Sequence, residues 1–386
     1  MRVIQLKGMT WDHTRGFNPM AATAAEFAKS HPGVEIRWEK RSLQAFADHP
    51  IEELAEQYDL IVIDHPHVGI AAHHGCLVAL DEMGKSDELA KLAKESLGPS
   101  HPTYAYDGHQ WALAIDAATQ VASYRPDLLP TPPTRWSQVV DLAQAGRVLW
   151  PIKPVDALMS FFTLAANRGS PCNMKMTGPL ISLADGLAVL DALSALSRNV
   201  PPECLAMNPI EVYEWLVASD KYAYCPLGYG YTNYARDGYR RKLLRFSDIP
   251  AVGDKGPVGS CIGGTGIAVS SRTQHRDLAV EYAFWIASAD CQKTLYFDAG
   301  GQPGNAVAWE DARTNALAHD FFKDTRATLD ATYVRPRYDG YLEFQDEGGD
   351  VVNAFLAGKL DADKTLARLL QFFDETRRSS NRDYLA

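Results

Sequence analysis

Several short polar stretches and one aromatic stretch carry the side chains best suited to holding a small polar solute. Trp11, Asp12 and His13 stand together, Asp64 and His65 form a second group with His67 close behind, and Asp116 and Gln120 form a third. Residues 222–234 hold five tyrosines, Tyr222, Tyr224, Tyr229, Tyr231 and Tyr234, interleaved with glycine. A polyol taken out of water needs its hydrogen bonds replaced, and carboxylates and amides do this by engaging adjacent hydroxyls. Flat aromatic rings cover the C–H faces, tyrosine adds a polar tip, and glycine lets backbone approach a ligand. Five tyrosines so spaced are not all expected in a core, so Tyr229 and Tyr231 are expected to line a cleft. Gly263, Gly264 and Thr265 offer backbone N–H groups for a ligand oxygen.

Other chemistries are less well served. The Gly-Gly-Thr-Gly run at 263–266 lacks the G-x-x-x-x-G-K-[ST] pattern of a phosphate loop. Nucleophilic catalysis needs a nucleophile beside a base, for which Cys225 with His13, His65 or Glu211 is the available set. Free cysteine is most often an inert buried hydrophobe, so no catalytic residue is assigned. His65 and His67 have the alternate spacing that would share one strand face, but Pro66 breaks the strand, and no metal or other cofactor is expected. His67 is read as a turn or surface residue.

These residues need elements to position them. Strands are expected at 3–7, 34–38 and 60–63, with helices at 19–29 and 51–57 between them. Such β-α-β-α-β alternation predicts a doubly wound parallel sheet, whose ligands lie beyond the carboxyl ends of the strands. Asp12–His13 and Asp64–His65 fall at two of those ends. Further on, short strands are expected at 111–115 and 119–124, then a mostly helical block over 136–220. That block includes helices at 155–167 and 183–197 and one capped by Asn208 with Pro209 in its first turn. Strand returns at 221–225 and 265–270, a helix follows at 275–289, and two amphipathic helices at 348–357 and 361–377 end the chain. Two α/β lobes result, 1–115 with 262–310 and 116–261 with 311–386, the terminal helices packing on either one. Strands that cross between them near 115 and 260 make a hinge, with an interlobe cleft as the site. Asp116 lies at the first crossing, as a ligand or as a hinge-fixing group.

Composition fits this picture. The chain has 386 residues, 46% hydrophobic and 22% charged, without low-complexity tracts. Cores stop growing near roughly 250–300 residues, so two lobes are expected. The net charge of −10 argues against a nucleic-acid partner, which would call for clustered Lys and Arg. No apolar run is long enough to span a membrane. Met1-Arg2-Val3-Ile4-Gln5-Leu6 runs straight into the first strand without an export-signal pattern, so the chain is read either as cytoplasmic or as lacking a removed signal. The six cysteines are scattered and expected to be free buried thiols.

A set of segments, in order, resembles the extracellular solute-binding proteins of ABC importers, in particular the large sugar-binding group. Tyr58-Asp59-Leu60-Ile61-Val62-Ile63-Asp64 looks like that family's third strand and its acidic residue. Gly108-His109-Gln110-Trp111-Ala112-Leu113-Ala114-Ile115-Asp116 looks like its "G-x-x-Y-A-L-P" segment entering the hinge. Tyr124-Arg125-Pro126-Asp127-Leu128-Leu129 and Pro132-Pro133-Thr134-Arg135-Trp136 look like "Y-x-x-D-L-F" and "P-P-x-T-W". Gly263-Gly264-Thr265-Gly266-Ile267-Ala268-Val269-Ser270, with Phe284-Trp285-Ile286-Ala287-Ser288, resembles the second hinge strand and its helix, and Gly300-Gly301-Gln302-Pro303-Gly304 the "G-G-x-P" loop.

The resemblance implies a two-lobe periplasmic-binding-protein-like fold (type II), parallel-sheet lobes joined by a multi-strand hinge. It implies a monomer that binds a sugar or similar small polar solute by hinge closure and presents it to an ABC permease, in the periplasm. Gln302, and Arg337 with Tyr338 where this family returns to the cleft, join the expected ligand set. The alternative is a cytoplasmic enzyme or ligand sensor on the same fold.

Overall fold

The computed structural model describes residues 3–42 and 50–383, with side chains through 380. Met1 and Arg2, read above as leading into the first strand, lie outside the described residues. The chain divides into two compact units, 1–117 with 263–315 and 118–262 with 316–386, and so passes between them at 117/118, 262/263 and 315/316. The two terminal helices belong to the second unit.

The strands are β1 (Ile4–Trp11), β2 (Val34–Arg41), β3 (Leu60–Ile63), β4 (Ala105–Tyr106), β5 (His109–Gln110), β6 (Leu113–Tyr124), β7 (Tyr224–Tyr229), β8 (Arg245–Ser247) and β9 (Ile262–Val269). The longer helices are α1 (Thr14–Ser30), α2 (Ile51–Gln57), α3 (His67–His74), α4 (Ser86–Lys94), α5 (Trp136–Gln144), α6 (Pro154–Asn167), α7 (Leu183–Ser197), α8 (Pro209–Ala218), α9 (Arg276–Ala287), α10 (Tyr341–Leu356) and α11 (Ala362–Asp383).

In the first unit β1 pairs in parallel with β2 and with β3, and β9 returns antiparallel to β3, giving the order β2-β1-β3-β9. The expected parallel sheet is therefore mixed. In the second unit β7 and β8 both pair antiparallel with β6. The all-apolar β3 is fully buried, and Leu6, Met9, Met20 and Phe27 pack around it with Tyr282 from α9. Thr23 on α1 reaches the Tyr282 hydroxyl at 2.7 Å, tying α1 to α9.

The two short strands expected on either side of Asp116 are one continuous strand, β6, buried at every position. Asp116 would interrupt a buried strand if it were alone, but Arg15 neutralises it there. In the second unit α8 starts at Asn208, whose side chain accepts from the Glu211 N–H while Glu211 reaches back to the Asn208 N–H. The helix expected from 348 begins earlier, at Tyr341. Gly348 and Gly349 sit inside it because α6 passes close by: a Cβ on Gly349 would meet the Pro154 carbonyl oxygen at 2.8 Å. Among the described residues no helix is long and apolar enough to cross a membrane. All six cysteines are buried.

Candidate functional site

In the first unit three expected ligand residues lie next to the ends of the β1–β3 and β3–β9 ladders. β1 and β3 pair in parallel at Gly8–Leu60 and Met9–Ile61, and Asp12 and Asp64 directly follow the two strands. β3 pairs Ile63 with Gly266, so one further step sets Asp64 beside Thr265. Asp12 is exposed and takes Lys40 Nζ at 2.7 Å, and its N–H is tied to the Arg41 carbonyl oxygen. Asp64 is partly exposed. One of its oxygens accepts from the His65 N–H at 2.8 Å and lies 3.0 Å from His65 Nδ1. Thr265 follows Gly264, which adopts φ +91°, and its buried hydroxyl has no hydrogen-bond partner among the described residues. Gly263 and Gly264 are half-buried beside it.

The neighbouring expectations change character. Trp11 is the last residue of β1 and is buried, its ring so close over Gly16 that a Cβ there would meet it at 2.4 Å. It is a core residue instead of a stacking face. His13 caps α1, its Nδ1 accepting the Arg15 N–H at 3.0 Å. His65 is wholly buried, edge-on to Tyr104. His67, expected at the surface, is buried at the start of α3 with Nδ1 3.2 Å from the Asp64 carbonyl oxygen.

Asp116 is held by Arg15. Nε donates to one carboxylate oxygen at 2.7 Å and Nη2 to the other, with both side chains buried. Burial raises the Asp116 carboxyl and the guanidinium opposes that shift. Tyr296 feels both charges and has a buried hydroxyl without a partner among the described residues. Burial keeps that phenol well above its ordinary pKa, so it remains a hydrogen-bond donor. Gln302 is buried, donating to the Ala117 carbonyl oxygen at 2.8 Å, and next to it the Gly304 N–H bonds to Ile115. The glycine loop is thereby fastened to β6.

Arg15 and Tyr296 were not among the expected ligand residues. A cation in the first turn of a helix opposes the helix dipole, so Arg15 needed a partner elsewhere, which is the signal that could have revealed it. Tyr296 ends a π-helical turn, Gln292–Tyr296, a feature that local residue pattern does not announce.

In the second unit the aromatic stretch is more structural than expected. Tyr224, Tyr231 and Tyr234 are buried, and Tyr222 and Tyr229 are half-buried. Tyr231 packs edge-on to Tyr213, whose hydroxyl donates to the Tyr229 carbonyl oxygen at 2.8 Å. Gly228 and Gly230 make room for protein side chains: a Cβ would meet the Tyr213 hydroxyl at 2.7 Å and the Phe321 ring at 2.9 Å. Gln120 is buried, its amide nitrogen donating to Ser160 at 3.1 Å and its oxygen accepting from Thr163 at 2.6 Å. Tyr338 is buried among α10 and α11 residues, with its hydroxyl 2.9 Å from that of Thr376. Arg337 beside it is half-buried. Cys225 is buried, and burial raises its thiol far above neutrality, so the nucleophile reading loses its thiolate.

Residues 22–322 match the family of bacterial extracellular solute-binding proteins. The chain is a bacterial extracellular solute-binding protein. Solved structures with the same fold include maltose-bound MalE3 of T. maritima, at TM-score 0.82 and 14% identity, covering 96% of this solute-binding protein and 99% of that chain. The GacH receptor of Streptomyces glaucescens, solved with and without acarbose, matches at 0.80 and 14%, covering 98% and 99%. An ABC-transporter solute-binding protein from Agrobacterium radiobacter, in complex with ribitol, matches at 0.79 and 18%, covering 97% and 99%. The solute-binding protein thus has the α/β fold of the two-lobe, maltose-binding type.

Proposed function

We propose that this solute-binding protein is the receptor component of an ABC-type importer, working outside the cytoplasm as a monomer, and that its solute is a carbohydrate or polyol. The observation that carries the reading is that Asp12 and Asp64 directly follow the parallel strands β1 and β3, with Thr265 of β9 next beyond the last β3–β9 pair, at the sheet edge where such folds bind their ligands. Support comes from structural neighbours described as bound to maltose, acarbose and ribitol.

Carboxylates accept hydrogen bonds from adjacent hydroxyls, and the Thr265 hydroxyl can donate or accept. Asp116 is already satisfied by Arg15, so it adds no net charge toward a neutral solute. Half-buried Tyr229 and Arg337 are proposed as further solute contacts, with hinge closure as the motion on binding. The closed state is favoured by the solute's higher affinity for it.

Isothermal titration with maltose, maltotetraose, ribitol and tagatose tests the reading. Saturable heat with at least one, weakened tenfold or more in Asp64→Ala, is expected; absence of binding to all four overturns the carbohydrate assignment. Light scattering should give a mass near the 42.6 kDa of one chain.

A further inference from the structure

The last turn of α8 and the residues after it hold a group of side chains with no place in the solute site. Of the eight tryptophans, Trp215 alone is exposed, at 40%. Half-buried Tyr222 lies beside it, with ring centroids 6.5 Å apart and planes inclined by 32°. Between them the turn presents the Asp220 carboxylate, 90% exposed, and Lys221, whose Nζ lies 5.0 Å from the Tyr222 ring centroid. Neither the Trp215 indole N–H nor the Tyr222 hydroxyl has a hydrogen-bond partner among the described residues, and Lys221 has no carboxylate partner there.

The turn is firmly built. Arg125 is fully buried and gives Nη1 to the Leu216 carbonyl oxygen at 2.7 Å and to that of Ser219 at 2.6 Å. Asp127 holds the other edge of the guanidinium at 2.7 and 2.8 Å. The Ser219 N–H closes on the Trp215 carbonyl oxygen, and the Ser219 hydroxyl accepts the N–H groups of Lys221 and Tyr222 at 3.0 and 3.4 Å. Burying a guanidinium is costly, and here it fixes the backbone that presents two aromatic rings. A surface held this way loses little entropy when a ligand lands on it.

We propose that Trp215 and Tyr222 form a surface platform for a carbohydrate chain, additional to the solute site, with Asp220 and Lys221 taking sugar hydroxyls at its rim. The proposal rests on the carbohydrate reading of the solute. Sugar rings offer a C–H face to an aromatic plane and a hydroxyl edge to polar groups, which is the combination present. A protein partner fits less well, because aromatic hot spots are ringed by side chains that exclude water. Here the residues between the two rings in the turn are the exposed, charged Asp220 and Lys221.

Native gel electrophoresis through soluble starch, dextran or barley β-glucan, run on the full chain, tests the platform. At least one polysaccharide should retard the wild-type protein, with apparent affinity falling fivefold or more in Trp215→Ala and in Tyr222→Ala and recovering in part in Trp215→Phe. Solute titration should stay within twofold of wild type in Trp215→Ala. Absence of retardation in all three gels, or equal retardation of wild type, Trp215→Ala and Tyr222→Ala, overturns the proposal. If circular dichroism shows Trp215→Ala to be misfolded, Tyr222→Ala and Trp215→Phe decide. A retarded protein that binds none of the four small solutes would leave the platform standing while the solute reading fails.

Discussion

Both carboxylate oxygens of Asp116 are bonded to the guanidinium of Arg15, which lies 101 residues earlier in the chain. The pair joins the first turn of α1 to β6 just before the chain leaves the first unit. Removing one partner strands a buried charge, so Arg15→Ala and Asp116→Ala should each cost about 3–5 kcal/mol. The double variant should lose clearly less than the two single losses added together. Urea denaturation of the four proteins measures this, and strict additivity would refute a coupled pair.

Gly16 is a helix position where alanine would ordinarily stabilise by about 0.5–1 kcal/mol. Here a Cβ meets the Trp11 ring at 2.4 Å. Gly16→Ala is therefore expected to destabilise, by about 1–3 kcal/mol as for other overpacked sites, and to weaken solute binding by shifting the loop that holds Asp12. A variant with a higher melting temperature than wild type would show that the ring moves aside freely.

Asp64 and Gln120 looked alike in sequence as solute ligands, and titration should separate them. Gln120 spends its amide on Ser160 and Thr163. Gln120→Ala should cost about 1–3 kcal/mol of stability through the unpaired hydroxyls while leaving affinity within about twofold. Asp64→Ala should do the reverse. Loss of affinity in Gln120→Ala without loss of stability would return that residue to the site.

His101 is buried, and burial lowers its pKa to about 4 from 6.5. Protonation therefore favours the unfolded chain, where the group titrates near its ordinary value. Its contribution is intact above pH 6.5 and is lost as pH falls toward 4, at roughly 1.4 kcal/mol per unit and about 3 kcal/mol in all. Subtracting the stability profile of His101→Gln from that of wild type should expose this slope between pH 6.5 and 4, and a flat difference would sink the assignment.

Asp156 has the opposite sign. Burial raises it to about 8, with Glu211 adding to the shift and Lys153 opposing it. Its folded pKa lies above the unfolded one, so its contribution is present below about pH 4 and lost as pH rises through 8. Asp156→Asn should abolish that loss and gain on wild type by up to about 4 kcal/mol between pH 4 and pH 7, measured by chemical denaturation. A variant that tracks wild type across this range would place the carboxyl in a wetter setting.

Local features were readable where the signal is itself local. The run Leu60–Ile63 is apolar throughout and bounded by Asp59 and Asp64, and it forms β3 with those bounds. Asn208, Pro209 and Glu211 together spell a helix start. The direction of β9 was not readable, because a buried apolar run looks the same in either sense. Nor was the role of glycine at 228 and 230, which depends on Tyr213 and Phe321 arriving from elsewhere in the chain. Among the candidate residues, the position of Asp12 and Asp64 just past β1 and β3 was legible from the β-α-β pattern. The pairing that engages both oxygens of Asp116 spans 101 residues and leaves no local trace.

The six cysteines are all buried, and burial pushes Cys204 up to about 11 and Cys76 and Cys291 to about 12. Thiol-reactive dyes act on accessible thiols, and all six side chains are buried. A cysteine introduced on the surface would thus be the labelling position, with no native cysteine replaced. Attached near Asp12, a single fluorophore would turn the wild-type framework into an optical reporter of its own solute.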